Sequence, residues 1–191
     1  MPILGVVASG ISGNLDASAY FPIATTTLAT SAATFSFTSI PSTYTHLQIR
    51  FSAQTSRNYA FDDAKLQLNG DTGNNYSHHR FYGDGQGNNG VSNVASTNSI
   101  YGPFLGAAGS QSNAFGSTII DILDYANTSK YKTVRIITGQ NSNGASTGSG
   151  ISSFISGLWM NTNAITSILI RGDSALNISA KSVFTLYGIK G

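Results

Sequence analysis

The sequence predicts an all-β protein, an antiparallel β-sandwich of jelly-roll-like form preceded by an N-terminal extension. Three observations carry this reading: apolar residues alternate with period two from about residue 33 to the end, no window holds a capped helical stripe, and Gly/Asn/Ser clusters punctuate the alternation. A chain of 191 residues fits one domain and buries enough surface to fold without a covalent staple. The expected division is an extension or arm over residues 1–32 and a single sandwich domain over 33–191.

The extension begins MPILGVVASGISGNLDASAY. Its apolar run, Pro2 to Ala8, has no Lys or Arg before it and is interrupted by Gly5, so it is too short for a signal peptide's apolar region and far too short to span a bilayer. The segment reads as part of the mature protein. Ile3, Leu4, Val6 and Val7 are the expected assembly contacts, because four apolar side chains outside the regular alternation need a partner in the same subunit or the next.

The first strand is expected at 34–39, with Phe35 and Phe37 on one face. In HLQIRFSA, Leu47, Ile49 and Phe51 alternate with Gln48, Arg50 and Ser52, as a half-buried strand requires. KLQLNG repeats the pattern with Leu66 and Leu68, and Asn69-Gly70 follows as a turn signal that tolerates positive φ. Further strands are expected at 76–82, 118–123, 133–138, 153–160, 166–170 and 183–189, which makes nine. The stretches around Ile119–Leu123 and Ile168–Ile170 are apolar on both faces, the mark of a central strand or of one covered by a neighbouring subunit. Phe35, Phe37, Phe51, Phe154 and Phe184 are expected in the core or between sheets, and Trp159 likewise, with its N–H seeking one acceptor. The glycine-rich stretches at 83–90 and 140–150 read as long loops that cannot build a core. No repeat of fixed period occurs, against solenoids, propellers and fibre shafts.

Charge is scarce. Charged residues make 9% of the chain against about 25% in ordinary soluble domains, and all eight acidic residues are Asp. The polar surface must therefore be built from Ser, Thr, Asn and bare backbone. Low net charge favours association, and interface cores are poor in Lys, Glu and Asp, so this surface suits a subunit packed among other subunits. A formal charge of +2, with cations scattered singly, excludes nucleic acid as the main partner. The absence of cysteine removes disulfides and thiolate metal sites.

Candidate chemistry is thin. NYSHHRFYGDG brings His78, His79, Arg80 and Asp84 together, but adjacent strand residues point to opposite faces, so the two histidines cannot share a metal, and His46 has no spacing that ties it to either. Asp62 and Asp63 are adjacent, and Asp71 and Asp84 sit in turn-like sequence where Asp bonds its own backbone. Asp121 and Asp124, among apolar neighbours, call for a cation such as Arg135 or Lys132. No nucleophile elbow, phosphate loop, zincin helix or calcium loop is present. The reading is a non-enzyme with no catalytic residues, no metal and no cofactor. Tyr76, Tyr82 and Tyr101, flanking the glycine-rich loop, form the one cluster that could face a glycan.

Several phrases in order, SIPSTYTHLQIRFSAQ, LQLNGDTGNNYSHHRFYGDG, ILDYANTSKYKTVR, SGLWMNTNAITSILI and FTLYGIKG, resemble a family of small bacteriophage virion proteins over roughly residues 34–191. The phrases are strand and turn signatures, so the resemblance implies an architecture and a virion location and carries over no functional residue. It implies a structural protein of the tail, of its fibres or of the capsid surface. A short chain without repeats or a coiled-coil stem suits a whole fibre poorly, so the favoured expectation is a capsid decoration or cement protein on the capsid exterior that bridges capsid subunits. The alternative is a tail-fibre or tail-tip protein that recognises a host glycan. Expected partners are the major capsid protein or other virion proteins and further copies of the chain, a trimer by family analogy, with neither nucleic acid nor membrane.

Overall fold

The computed structural model describes residues 19–85, 87, 89–109, 111–143, 150–173 and 177–190, and among them every regular element is a strand. In chain order these are β1 (Tyr20–Thr27), β2 (Thr34–Phe37), β3 (His46–Thr55), β4 (Phe61–Leu68), β5 (Tyr76–Gly83), β6 (Asn89–Thr97), β7 (Ile100–Ala107), β8 (Gly116–Ile122), β9 (Lys132–Asn141), β10 (Gly150–Trp159), β11 (Ile168–Gly172) and β12 (Val183–Ile189). All nine expected strands are present. The additional ones are β1, inside the stretch assigned to the extension, and the consecutive pair β6 and β7.

Eight strands form one antiparallel layer in the order β1-β12-β3-β8-β9-β10-β5-β6. Four form a second, β2-β11-β4-β7. The layers are joined where Gln54 and Thr55 of β3 pair in parallel with Gly106 and Ala107 of β7, so the hydrogen-bonded path is continuous and turns back over itself. β7 lies across β8, β9, β10 and β5 of the large layer. The fold is thus an all-β, sandwich-like one. Its division into eight and four strands does not by itself establish the jelly-roll form, which is built from two Greek keys.

The core lies between the layers, and period-two alternation puts it there. Leu47, Ile49 and Phe51 of β3, Ile120 and Ile122 of β8, Val134 and Ile136 of β9, and Ile155 of β10 are buried against Leu66 and Leu68 of β4, Ile100 of β7, and Ile168 and Ile170 of β11. Phe35 stacks on Phe184 at 4.1 Å, and Phe184 contacts Phe51. The seam tolerates no side chain: a Cβ on Gly106 would come within 2.2 Å of the Ala114 carbonyl oxygen, and one on Gly116 within 2.8 Å of the Gly106 nitrogen.

The turns behave as their residues dictate. Asn69 and Gly70 hold φ of 53° and 66°, the left-handed pair expected of Asn-Gly. Asp71 Oδ1 accepts from the Gly73 backbone N–H at 2.8 Å, and Oδ2 accepts the Trp159 indole N–H at 2.8 Å. This supplies the acceptor that the buried indole requires and ties the turn after β4 to the end of β10. The stretch at 83–90 is shorter than a long loop, because Gly83 ends β5 and Asn89 starts β6, its hairpin partner. In the stretch at 140–150, β9 runs to Asn141 and β10 starts at Gly150, and residues 144–149 lie outside the described ones.

Candidate functional site

Wherever two apolar residues are adjacent in a strand of the large layer, one faces the core and the other must face out. Ile119–Ile120, Ile136–Ile137 and Phe154–Ile155 are such pairs. Strand register then decides whether the outward members are scattered or gathered. Thr185 pairs with Arg50, Arg50 with Ile119, Ile119 with Ile137, Ile137 with Phe154, Phe154 with Phe81, and Phe81 with Val91. The outward apolar residues of five successive strands therefore form one row at right angles to the strands. Exposures are 38% for Ile119, 51% for Ile137, 46% for Phe154, 63% for Phe81 and 81% for Val91. Cross-strand neighbours stand about 4.5–5.5 Å apart, so the row is a continuous ridge.

Two residues along each strand lies a second row. Val183, Ser52, Ser117, Gly139, Ser152 and Gly83 are successive partners, and nearly all are small. Beside the ridge they make a trough, and together the two rows line a groove of about 980 Å³ from β12 to β5. On the other flank runs a polar rail of Tyr187, Gln48, Asp121, Arg135, Ser156, His79 and Asn93. The rail is cross-braced: Arg50 Nε donates to Gln48 Oε1 at 2.6 Å, Gln48 Nε2 to Asp121 Oδ1 at 2.7 Å, and Arg135 Nη2 to Asp121 Oδ2 at 2.7 Å. Arg50 belongs by register to the ridge, yet its guanidinium lies 5.3 and 5.4 Å from the Tyr20 and Tyr187 ring centroids and bonds into the rail. Arg50 still lines the groove at β3, and the remaining walls are mostly apolar or hydroxyl-bearing.

Asp121 thus takes Arg135, one of the two cations expected for it. Lys132 instead points inward, and its ammonium donates to the carbonyl oxygens of Asn127 (2.5 Å), Lys130 (3.0 Å) and Thr162 (2.9 Å). Burial lowers its pKa. Asp124 is bound by Lys130, and its backbone N–H donates to His46 Nδ1 at 2.9 Å. The Lys130 ammonium holds the Asp124 carboxyl below its ordinary value.

The two adjacent histidines separate as strand geometry demands. His78 faces the interior at 3% exposure and stacks on Tyr101 with ring centroids 5.5 Å apart, while His79 stands on the exposed rail. Burial first, then Arg80 and His79, push the His78 imidazole down to about 4, so it is neutral at ordinary pH. Arg80, also inward, pairs with Asp63 of the other layer at 2.5 Å and lies over the rings of Phe104 and Tyr82. Burial raises the Asp63 carboxyl pKa despite that guanidinium. Among the described residues no three His, Asp or Glu side chains gather as metal ligands would.

Two expectations are corrected here. Tyr76, Tyr82 and Tyr101 do not make an exposed trio. Tyr76 is fully buried, stacks on Trp159 and donates to backbone oxygens of Leu68 and Asp71, with burial pushing its hydroxyl up to about 12. Tyr101 packs between His78 and Lys65, and Tyr82 against Phe104. Phe154, expected in the core, is instead in the middle of the ridge, because Ile155 takes the inward position. Phe35, Phe37, Phe51 and Phe184 are buried as expected. The ridge residues Phe81 and Val91 were not legible as a site, since only pairing across β10, β5 and β6 lines them up. Ile3, Leu4, Val6 and Val7 lie outside the described residues.

Comparison with known proteins found no matching family, no matching curated protein and no matching solved structure.

Proposed function

We propose that this chain is a structural component of a bacteriophage virion, a capsid decoration protein that lies across neighbouring capsid subunits and resists their separation. The observation that carries an assembly role is the outer face of the large layer, where five neighbouring apolar side chains stand in water beside an uncharged trough. Contiguous apolar surface of this kind marks protein contact sites. The scarcity of charge supports the same reading, because few ionised groups need to be stripped of water when such a face is covered. The virion location rests on the resemblance of the strand and turn phrases. The mechanism is mechanical: contact area spread over a stiff sandwich opposes expansion of the shell, with no reaction involved. The glycan-binding alternative is weakened by the burial of Tyr76.

The test is occupancy of purified phage particles. Wild-type chain is expected to sediment with heads in hundreds of copies and to raise the temperature at which shells rupture. A handful of copies confined to tails would replace this reading with the tail role, and no association with either structure would remove it.

A further inference from the structure

We propose that the groove on the outer face is the seat for the Pro2–Ala8 segment of a neighbouring copy, so that the copies link head to tail. This rests on the assembly role argued above and names the partner of that surface. Three observations converge on it.

The first is fit. The groove crosses from β12 to β5, five strand spacings, or about 24 Å at about 4.8 Å each. Seven residues of extended chain span about 23 Å. The second is chemistry. PILGVVA carries no charged side chain and four large apolar ones, Ile3, Leu4, Val6 and Val7, and the groove offers Ile119, Ile137, Phe154 and Phe81, while Arg50 at its β3 end is bonded to Gln48. A segment laid across strands cannot join their hydrogen-bond ladder, and the hydroxyls of Ser52, Ser117 and Ser152 along the trough give its backbone polar partners. The third is direction. β1 lies at the edge of the large layer, with Thr25 and Thr27 level with the ridge and trough through Thr185 and Val183. The chain enters β1 at Tyr20, opposite Ile189, which is the end away from the groove. The described part of β1 thus begins at the end far from its own groove, and this placement is what makes a neighbouring copy's groove the seat proposed for the segment. A contact between two different patches closes into a ring when its rotation allows, which accords with a trimer.

The chain has no cysteine, so engineered disulfides report the contact cleanly. Two populations of full-length chain, one Val6→Cys and the other Ile137→Cys, distinguished by size tags, are mixed and oxidised. The mixed two-chain product is expected to exceed by about tenfold or more that of a control pairing Val6→Cys with Ser36→Cys on the other layer, since yield follows local concentration. Equal yields, or a Val6→Cys/Ile137→Cys double variant that closes only within single chains, would overturn the proposal. In unmodified protein, sedimentation should show oligomer, and Phe154→Ser should shift it to monomer while its circular dichroism is retained. An oligomer indifferent to Phe154→Ser counts against the groove. Neither measurement uses phage particles, so shell binding without the cross-link rejects this inference alone, and the cross-link without shell binding rejects the virion role alone.

Discussion

The two faces of the eight-stranded layer are made by the same strands, often by consecutive residues, yet they differ in what would be lost if they were altered. Ile136 and Ile137 are chain neighbours of one residue type. Ile136 is fully buried between the layers, and Ile137 is half exposed on the ridge. The inner face is determined by folding and the outer one much less so, and apolar residues that stand exposed on the outer face point to a requirement beyond stability.

Identical substitutions on the two faces test this most sharply. Ile136→Thr removes buried apolar volume and leaves a hydroxyl without a partner, an expected cost of about 2–4 kcal/mol. In a chain of this length that lowers the melting temperature by roughly 10 °C, readable by calorimetry. The buried His78 gives a smaller, pH-dependent effect. The folded-state value for His78, about 4, lies below the unfolded 6.5, so between these values the unfolded chain binds more protons. The stability due to neutral His78 is complete above about 6.5 and drains away as pH falls toward 4. Urea midpoints should decline from pH 7 to 4.5 in wild type and decline less in His78→Gln. The smallest effect is expected from Ile137→Thr, within about 0.5 kcal/mol of wild type in urea unfolding. A loss as large as that of Ile136→Thr would mean the ridge is part of the folding core.

Much of the sandwich was legible because alternation is a local signal. β3, with Leu47, Ile49 and Phe51 inward, shows it in eight residues. The three strands that escaped lack it for separate reasons. β1 carries Pro22 beside a register shift at the sheet edge, where the missing N–H is tolerated. β6, NGVSNVAST, is mostly polar and mostly exposed. β7, IYGPFLGA, is buried on nearly every side chain because it joins one layer and crosses the other, so no polar face remains to alternate. The site was legible only in part. Apolar residues on both faces around Ile119–Leu123 gave notice of an outer apolar surface, but the ridge depends on register between strands tens of residues apart. Tyr76 was misplaced for the same reason, since its burial is set by Trp159, which no local pattern could put beside it.

The β1–β12 pairing has a mechanical consequence. The chain enters β1 at the end where Tyr20 faces Ile189, and its pairs continue to Thr27 and Val183. Tension applied at the N-terminus along the strand axis would drag β1 lengthwise past β12, straining the whole ladder at once instead of peeling it one rung at a time. Parallel loading of many weak links is the stronger arrangement, so a tether leaving from Tyr20 is anchored to the sandwich as a bolt is, by resistance to sliding.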